Sequence, residues 1–533
     1  MPQASVIPTS TPNRTIIGMR PVDIVKDVPP TEVDAEFWTD LINFQMRQGF
    51  AVRIDGSEPI LGAPLFGPVN LINAPFGTFN FWVYIGETGI GVVDQGGIHS
   101  DITPAGYPGA KPGSSNSTLI NGFPIQSFED IPTFWDLNTA NICQPLTGWP
   151  ANTTTKAVRS SRQFLFALGM TENGVVLDDK LRWSNSAEPG TIPTEWDATP
   201  ANDAGDTTLS ATSGEIVDGQ ALRGQFIIYK SHSTYNANFT GGTFVWAFRK
   251  LFTTTGMLAN NCVAEAFGVH YVLTDGDFIK HDGQNIVSLV DRKLRRFIFS
   301  QLDPTNFKNC FVFNNRSRKE IWACIVPIGE TFAKFAVVYS YATELLSIRD
   351  IDLFGHAASG IVLDDAVSDQ WAAQVDSWQT IARVWDEAIF TPAFENVLAG
   401  TPDDLSTGNP VLIAVDQGST RVDGSVIGAV VSKQGVDFDM PNTFKHIKRL
   451  WPRVTGVGGT IIQVRVGGQI TPDSGTFFTA FQDYIIGTTD FLAFDLSARY
   501  LTFEFRESLE QQPQVGFGIN GFEVEFNLQG QFQ

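Results

Sequence analysis

Short stretches of alternating apolar and polar residues, separated by polar turns, recur along most of this chain. TFNFWVYIG (78–86) and GIGVVDQ (89–95) are two apolar runs split by Glu87, Thr88 and Gly89, the pattern of a hairpin. The pattern returns in RQFLFALGM (162–170) with KLRWSN (180–185), and in RGQFIIYKS (223–231) with TFVWAFRKLF (243–252). It returns again over 261–283, 309–327 and 332–352. Each unit predicts two or three short strands, and a recurrence of roughly 40–50 residues predicts the blades of a propeller. From about Pro441 apolar and polar residues alternate with period two, in HIKRLWPRV (446–454), TIIQVRVGGQI (460–470), DYIIGTTDFLAFDL (483–496), RYLTFEFRE (499–507) and FEVEFNLQG (522–530). That pattern predicts antiparallel strands with one wet face. The expected fold class is all-β: a β-propeller with loop insertions plus a C-terminal antiparallel β-sandwich-like domain.

Three regions follow. Residues 1–34, polar and Pro-rich, predict an N-terminal arm. Residues 35–440 predict the propeller, with irregular insertions near 106–123 and 186–214 that are rich in Gly, Pro, Ser and Thr. Residues 441–533 predict the second β domain. Within the propeller, AEFWTDLINFQMRQGFAVR (35–53) predicts a short helix running into a strand, and 366–388 another short helix or turn. The hairpin VDGSVIGAVVSK (422–433) is the expected closing piece of the ring, with late strands pairing with early ones.

Composition agrees with this and narrows the function. The 533 residues exceed one ordinary core, and 42 Phe, 12 Trp and 9 Tyr with 49 Gly and 29 Pro favour strands and tight turns. The net charge is −21, from 36 basic and 57 acidic residues. A conventional nucleic-acid binder needs the opposite sign to displace phosphate counterions. A surface past which DNA slides does not. The N-terminus has no basic start followed by an apolar core, so no secretory signal is expected. No apolar run reaches the roughly 18–20 residues that span a bilayer, so no membrane-spanning segment is expected. Cys143, Cys262, Cys310 and Cys324 form no CxxC pair; they predict buried thiols, with a Cys310–Cys324 pairing left open across a probable hairpin.

The chain has no GxSxG, HExxH or GxxxxGK[ST], and the acidic pairs Asp178-Asp179, Asp364-Asp365 and Asp403-Asp404 sit in polar turns. These observations predict no catalytic, cofactor-binding or metal site, and hence no enzyme. The turns at Asp275-Gly276, Asp282-Gly283 and Asp423-Gly424 suit glycine at positive φ, with calcium ligation by Asp275, Asp277 and Asp282 as the competing role. Trp183 in Arg182-Trp183-Ser184 is expected in a blade core, covered by the stem of Arg182, against a binding role for the triplet. The densest basic run, Arg292, Lys293, Arg295 and Arg296, is expected at a strand end making subunit contacts, paired with carboxylates, rather than lining a DNA path. Lys445, Lys448 and Arg449 form a smaller cluster of the same kind. The alternative function is a carbohydrate-binding or sialidase-like β-propeller, because Ser186-Ala187-Glu188-Pro189-Gly190 approaches an S-x-D-x-G box. A WD-repeat scaffold is disfavoured, since Trp385-Asp386 has no GH partner before it.

Three stretches in order carry a resemblance: KLRWSNSAEPGTIPTEWDATPANDAGDTTL (180–209), GVHYVLTDGDFIKHDGQNI (268–286) and TRVDGSVIGAVVSKQGVDFDMPNTFKHIKRLWPRV (420–454). Together with FWTDLINFQMRQGFAVRIDGS (37–57) they resemble the β-propeller tail nozzle proteins of short-tailed bacteriophages. The position after Trp183 departs from that family in lacking its usual Asp. The resemblance implies a structural virion protein, made in the host bacterial cytoplasm and located in the tail. It implies a homo-oligomer, a hexameric ring, below tail adaptor proteins. Tail fibres or spikes would dock outside, with DNA only in transit through the channel.

Overall fold

The structure, a computed structural model, describes residues 14–531 apart from 48, 78, 243, 363–394, 403–407 and 509–515. Among the described residues the strands build a β-propeller of seven antiparallel four-stranded blades, over 68–101, 116–145, 153–208, 216–252, 263–288, 311–354 and 356–415. The seven innermost strands are Pro68–Phe76, Asn116–Ile120, Thr153–Ser161, Ile216–Leu222, Val263–Ala266, Phe311–Asn315 and His356–Gly360. Each lies beside the next, and His356–Gly360 returns to Pro68–Phe76, so the ring is closed.

Apolar residues on both faces of the second strand of the blades, as in Phe79–Gly86, Phe164–Glu172, Gln225–Lys230 and Glu320–Ile325, make this possible, because each blade packs on two neighbours. Phe166 and Phe226 stack at 4.2 Å between the third and fourth blades. Phe81 meets the edge of Trp135 at 5.3 Å between the first and second. Each fully buried aromatic side chain contributes about 1.5–3 kcal/mol of transfer free energy. The seventh blade takes its outermost strand, Ser57–Pro59, from before the first blade, where it pairs antiparallel with Val411–Val415. Late strands therefore do pair with early ones, but the closing piece is Val411–Val415 rather than the 422–433 hairpin. Val430–Val436 belongs elsewhere, between Asp40–Ile42 and Tyr500–Glu507.

The second unit is a two-sheet sandwich assembled from both ends of the chain. One sheet runs in the order Leu492–Ala498, Thr443–Gly456, Phe517–Gln531, Phe50–Arg53 and Phe44–Arg47, with Arg14–Met19 also pairing Phe517–Gln531. The other is continuous with the sixth blade. Asp40–Ile42 pairs parallel with that blade's outer strand Leu345–Phe354 and antiparallel with Val430–Val436, followed by Tyr500–Glu507 and Ile461–Gln469. One ten-stranded sheet thus runs from the propeller's inner edge out into the sandwich.

Several expectations change here. Residues 14–34 are not a separate arm, since Arg14–Met19 is a sandwich strand and Asp23–Ile24 pairs with Phe37–Trp38. The stretch 35–53 forms no helix. Trp38, Leu41 and Phe44 are fully buried at a spacing of three, which mimics a helical face. Asn43 at φ 60 ends one short strand and starts another, so the two-residue alternation restarts and produces that spacing. The insertion at 106–123 is shorter than expected, because Asn116–Ile120 is the second blade's inner strand. The insertion at 186–214 folds back on the second and third blades: Asn121 Nδ2 donates to the carbonyls of Glu188 and Thr191, and Trp196 packs on Trp149 at 4.7 Å. The helix expected at 366–388, the acidic pairs at 364–365 and 403–404, and Trp385-Asp386 lie outside the described residues. No helix among the described residues is long and apolar enough to cross a membrane.

Candidate functional site: the propeller tunnel

The inner strands face a physical problem, since each has one edge with no strand to pair with. Buried backbone N–H and C=O groups need partners, and a bare edge would leave several unsatisfied. Polar side chains of the neighbouring inner strands supply them. Asn116 Nδ2 donates to the Val158 carbonyl at 3.1 Å, and the Ser160 N–H donates to Thr118 Oγ1 at 3.2 Å. Asn314 Nδ2 donates to the Glu265 carbonyl, and Ser359 Oγ to the Asn314 carbonyl. The ring is completed where the Leu71 N–H donates to His356 Nδ1 at 3.4 Å and the Ile361 N–H to Asn73 Oδ1 at 3.3 Å.

Arg159 is the densest node of this belt. Its Nε donates to Asp218 Oδ1 at 2.7 Å, its Nη2 to Asn261 Oδ1 at 2.7 Å and its Nη1 to the Ser117 carbonyl at 3.0 Å. Asp218, whose side chain is wholly buried, also accepts the N–H of Asn261 at 2.9 Å. One guanidinium therefore ties together the second, third and fourth blades and the entry to the fifth. The fork of Arg suits this, because its planar donors hold fixed directions. The belt encloses a cavity of about 560 Å3, bordered by all seven inner strands.

A second buried network fastens the fourth blade to the fifth. Tyr229 Oη lies 2.7 Å from His270 Nδ1 and 2.6 Å from His281 Nε2. The remaining ring nitrogens fix the proton positions. His270 Nε2 faces the Ala221 carbonyl at 3.0 Å and must carry hydrogen, so its Nδ1 accepts from Tyr229. His281 Nδ1 accepts the Gly283 N–H at 3.2 Å, so its Nε2 donates to Tyr229. Burial drives both imidazoles towards neutrality, His270 to about 3, with His281 beside it adding to the effect, and His281 to about 4.

The sequence-selected residues fall as follows. The basic run is a turn and the start of the helix Arg295–Gln301, not a strand end. Lys293 Nζ pairs with the buried Asp23 at 2.6 Å, and Arg295 pairs with Asp277 at 2.6 Å and Asp291 at 3.2 Å. The Lys293 carbonyl accepts the N–H groups of Lys26 and Asp27, and Asp27 accepts those of Arg296 and Phe297. Two of the four basic side chains thus pin the N-terminal segment or their own turn within one chain, while Arg292 and Arg296 are exposed. Lys445, Lys448 and Arg449 do not cluster: Lys445 is buried against the Met440 and Arg499 carbonyls, and burial lowers it to about 8, whereas Lys448 and Arg449 are exposed.

Trp183 is buried with its Nε1 donating to the Asp203 carbonyl, and its ring fills the place a Cβ on Gly205 would need, at 2.4 Å. Arg182 is engaged by Asp197 and Glu172. Asp275, Asp277 and Asp282 are not brought together: Asp277 holds Arg295, and Asp282 accepts the N–H groups of Gln284 and Asn285. Gly283 and Gly424 take positive φ but Gly276 does not. Among the described residues no group of three or more His, Cys, Asp and Glu could hold a metal ion. All four cysteines are free and buried, and burial pushes the Cys310 thiol up to about 12. Cys324 is opposite Phe311, one residue past Cys310, and Cys262 Sγ reaches the Cys310 carbonyl at 3.2 Å.

Arg159, Asp218, Asn261 and the Tyr229–His270–His281 relay were not selected from sequence. A signal existed for the belt, since Asn, Ser, Thr or Asp recurs in the inner strand of most blades. His270 and His281 also sit directly opposite each other in one hairpin.

No protein-family model matches this chain, and no curated protein matches it in sequence. A solved structure similar in fold is dihydro-heme d1 dehydrogenase NirN in complex with DHE, at 11% identity and a TM-score of 0.36, over 71% of this chain and 73% of that one. That protein is an enzyme by its title, so the expectation that this chain is not an enzyme, drawn from missing motifs, is withdrawn. At that TM-score the likeness carries no activity, ligand or site over to this chain.

Proposed function

We propose that this chain is a structural component of a short-tailed phage tail, forming a ring whose central channel lies between copies and serves genome exit. The ordered set of sequence stretches over 37–57, 180–209, 268–286 and 420–454 suggests the family. The observation that carries the reading is the single ten-stranded sheet that joins the propeller to the sandwich. A wall around a channel has to transmit force between its parts, and an uninterrupted hydrogen-bonded sheet does so without a hinge. A duplex has no path through the propeller itself, because adjacent inner strands are tied to one another round the ring and border a space of only about 560 Å3. Any DNA path therefore runs between chains. A net charge of −21 per chain would keep such a wall repulsive to phosphate, screened beyond about 8 Å at physiological salt.

In this reading the exposed Arg292 and Arg296 meet carboxylates of a neighbouring copy, the ring is hexameric, adaptor proteins lie above it, and fibres or spikes dock outside. The test is the mass of the purified chain in solution, read with electron micrographs. A closed ring with an open centre, and no salt-sensitive binding to duplex DNA, is the expected result. A strict monomer at micromolar concentration, or tight salt-dependent DNA binding, overturns it.

A further inference from the structure

We propose that a groove between the first and second blades binds neutral oligosaccharide. It lies where the Pro68–Phe76 to Phe79–Gly86 hairpin tip and the turn after Ile90–Asp94 meet the loop at 137–139, and it encloses about 530 Å3. That volume falls within the roughly 300–1,000 Å3 of small-molecule sites. Phe76 and Phe79 line it at 50% and 59% exposure, a poor position for large apolar rings unless something covers them. Phe79 is held flat rather than swinging freely, because it stacks on the buried Phe81 at 6.2 Å and 19°. Phe81 is itself fixed by Trp135. The result is a rigid aromatic face open to solvent.

Polar groups at the edges of this platform are ready for hydroxyls. Asp94 uses Oδ1 to accept the N–H groups of Gly96 and Ile98, both at 2.9 Å, which freezes the turn and leaves Oδ2 for a ligand. Asn138 commits its Oδ1 to the Ala140 N–H at 3.1 Å, which leaves the Nδ2 donors, and the exposed Thr139 adds a hydroxyl. A carboxylate oxygen that accepts, an amide that donates and a flat ring are the complement of a pyranose with equatorial hydroxyls. Such a sugar presents axial C–H bonds to the ring and paired hydroxyls to the rim.

Charge selects among sugars. Among the described residues Asp94 is the only charged one lining the groove, so sialic acid and other anionic glycans are repelled. This separates the site from a sialidase-like one, which needs converging arginines. A protein partner is the competing occupant, but stable protein interfaces cover about 800 Å2 per partner and centre on Trp, Tyr or Arg, none of which is among the described residues lining this groove.

The experiment uses the full chain with cellohexaose, maltohexaose and dextran as probes, read by saturation-transfer NMR and calorimetry, with sialyllactose as the anionic control. At least one neutral probe is expected to bind, with saturation strongest at its axial C–H protons, and sialyllactose is expected not to. Phe79→Ala should weaken binding by about tenfold or more, equivalent to about 1.4 kcal/mol. Asp94→Asn tests the polar rim without touching the platform and should weaken binding severalfold. Thermal melts of both variants show whether the fold is kept, and if Phe79→Ala melts early the Asp94→Asn result decides. The proposal is overturned if no neutral probe binds, if both variants bind as the parent does, or if Phe79→Ala instead dissolves an oligomer that binds no saccharide. The outcome is independent of ring formation, since the groove belongs to one chain.

Discussion

Two of the buried polar networks that join parts of this molecule differ in charge. Between the fourth and fifth blades, Tyr229, His270 and His281 are joined without a single formal charge. Where the sixth and seventh blades meet the sandwich, the network is ionic. Asp416 pairs with Arg349 and, at 2.8 Å, with Arg318, which also reaches Asp55 at 2.8 Å and Gln45 at 3.0 Å. Burial alone would raise the Asp416 carboxyl, but Arg318 and Arg349 together hold it below the usual carboxylate range. The guanidinium of Arg349 lies over Trp322 at 4.2 Å. Close by, Arg53 pairs with Glu507 at 2.9 Å, both side chains nearly sealed from solvent. Blades of one propeller are alike and flat-faced, so a short neutral relay suffices to align two of them. The junction joins three separate chain segments, around Gln45–Asp55, Arg318–Arg349 and Asp416, and multidentate arginines can satisfy acceptors from several of them at once.

The difference can be broken most forcefully by acid. A histidine buried neutral takes up its proton later than the same residue unfolded. Stability from His270 and His281 is therefore complete above about pH 6.5 and is lost as pH falls towards 4 and 3. At about 1.36 kcal/mol per unit for each residue, the relay should lose on the order of 5 kcal/mol by pH 4.5. Urea midpoints measured across that range should show it, and His281→Gln should make the slope clearly shallower without abolishing it, because burial also lowers His356 to about 3. An unchanged slope in His281→Gln would place the acid sensitivity elsewhere.

The ionic junction should fail next, and by truncation rather than titration. Asp416→Ala leaves Arg349 buried without its carboxylate, a loss of about 3–5 kcal/mol. Chemical denaturation at pH 7.5 measures it, and a loss under 1 kcal/mol would mean that water or Glu320 replaces the missing charge. The smallest effect is expected from Tyr229→Phe, which removes one hydroxyl and strands one acceptor and one donor, at about 1–3 kcal/mol. That variant should also shift the acid transition, because each neutral imidazole loses the hydrogen bond it makes with the Tyr229 hydroxyl.

Much of the fold is legible in the sequence, and the reason is local. The hairpins at 78–95, 162–185, 223–252 and 309–327 all form blade strands, because alternation and turn residues act over a few positions. What escapes is long-range. Nothing near Arg14–Met19 announces that its partner is Phe517–Gln531, and nothing near Ser57–Pro59 announces Val411–Val415. The tunnel belt was half legible: Asn, Ser and Thr in otherwise apolar strands are visible, but which carbonyl each one reaches depends on ring closure. The Asp275, Asp277 and Asp282 cluster failed because neighbours in sequence spent their carboxylates on separate partners.

The strand Ser57–Pro59 has a consequence for how the molecule is made. It leaves the ribosome before any blade, yet its place beside Val411–Val415 exists only once almost the whole propeller has been translated. At roughly 5–20 residues per second, that strand waits on the order of 20–70 s with its edge unpaired. The early blades can pack in order meanwhile, but the circle stays open at the seventh. Newly made chains therefore pass through a long interval as an incomplete ring with an exposed strand edge. In that interval a neighbouring chain's finished Val411–Val415 offers the same pairing edge before their own has been made, so dense synthesis raises the share of strand exchange between chains.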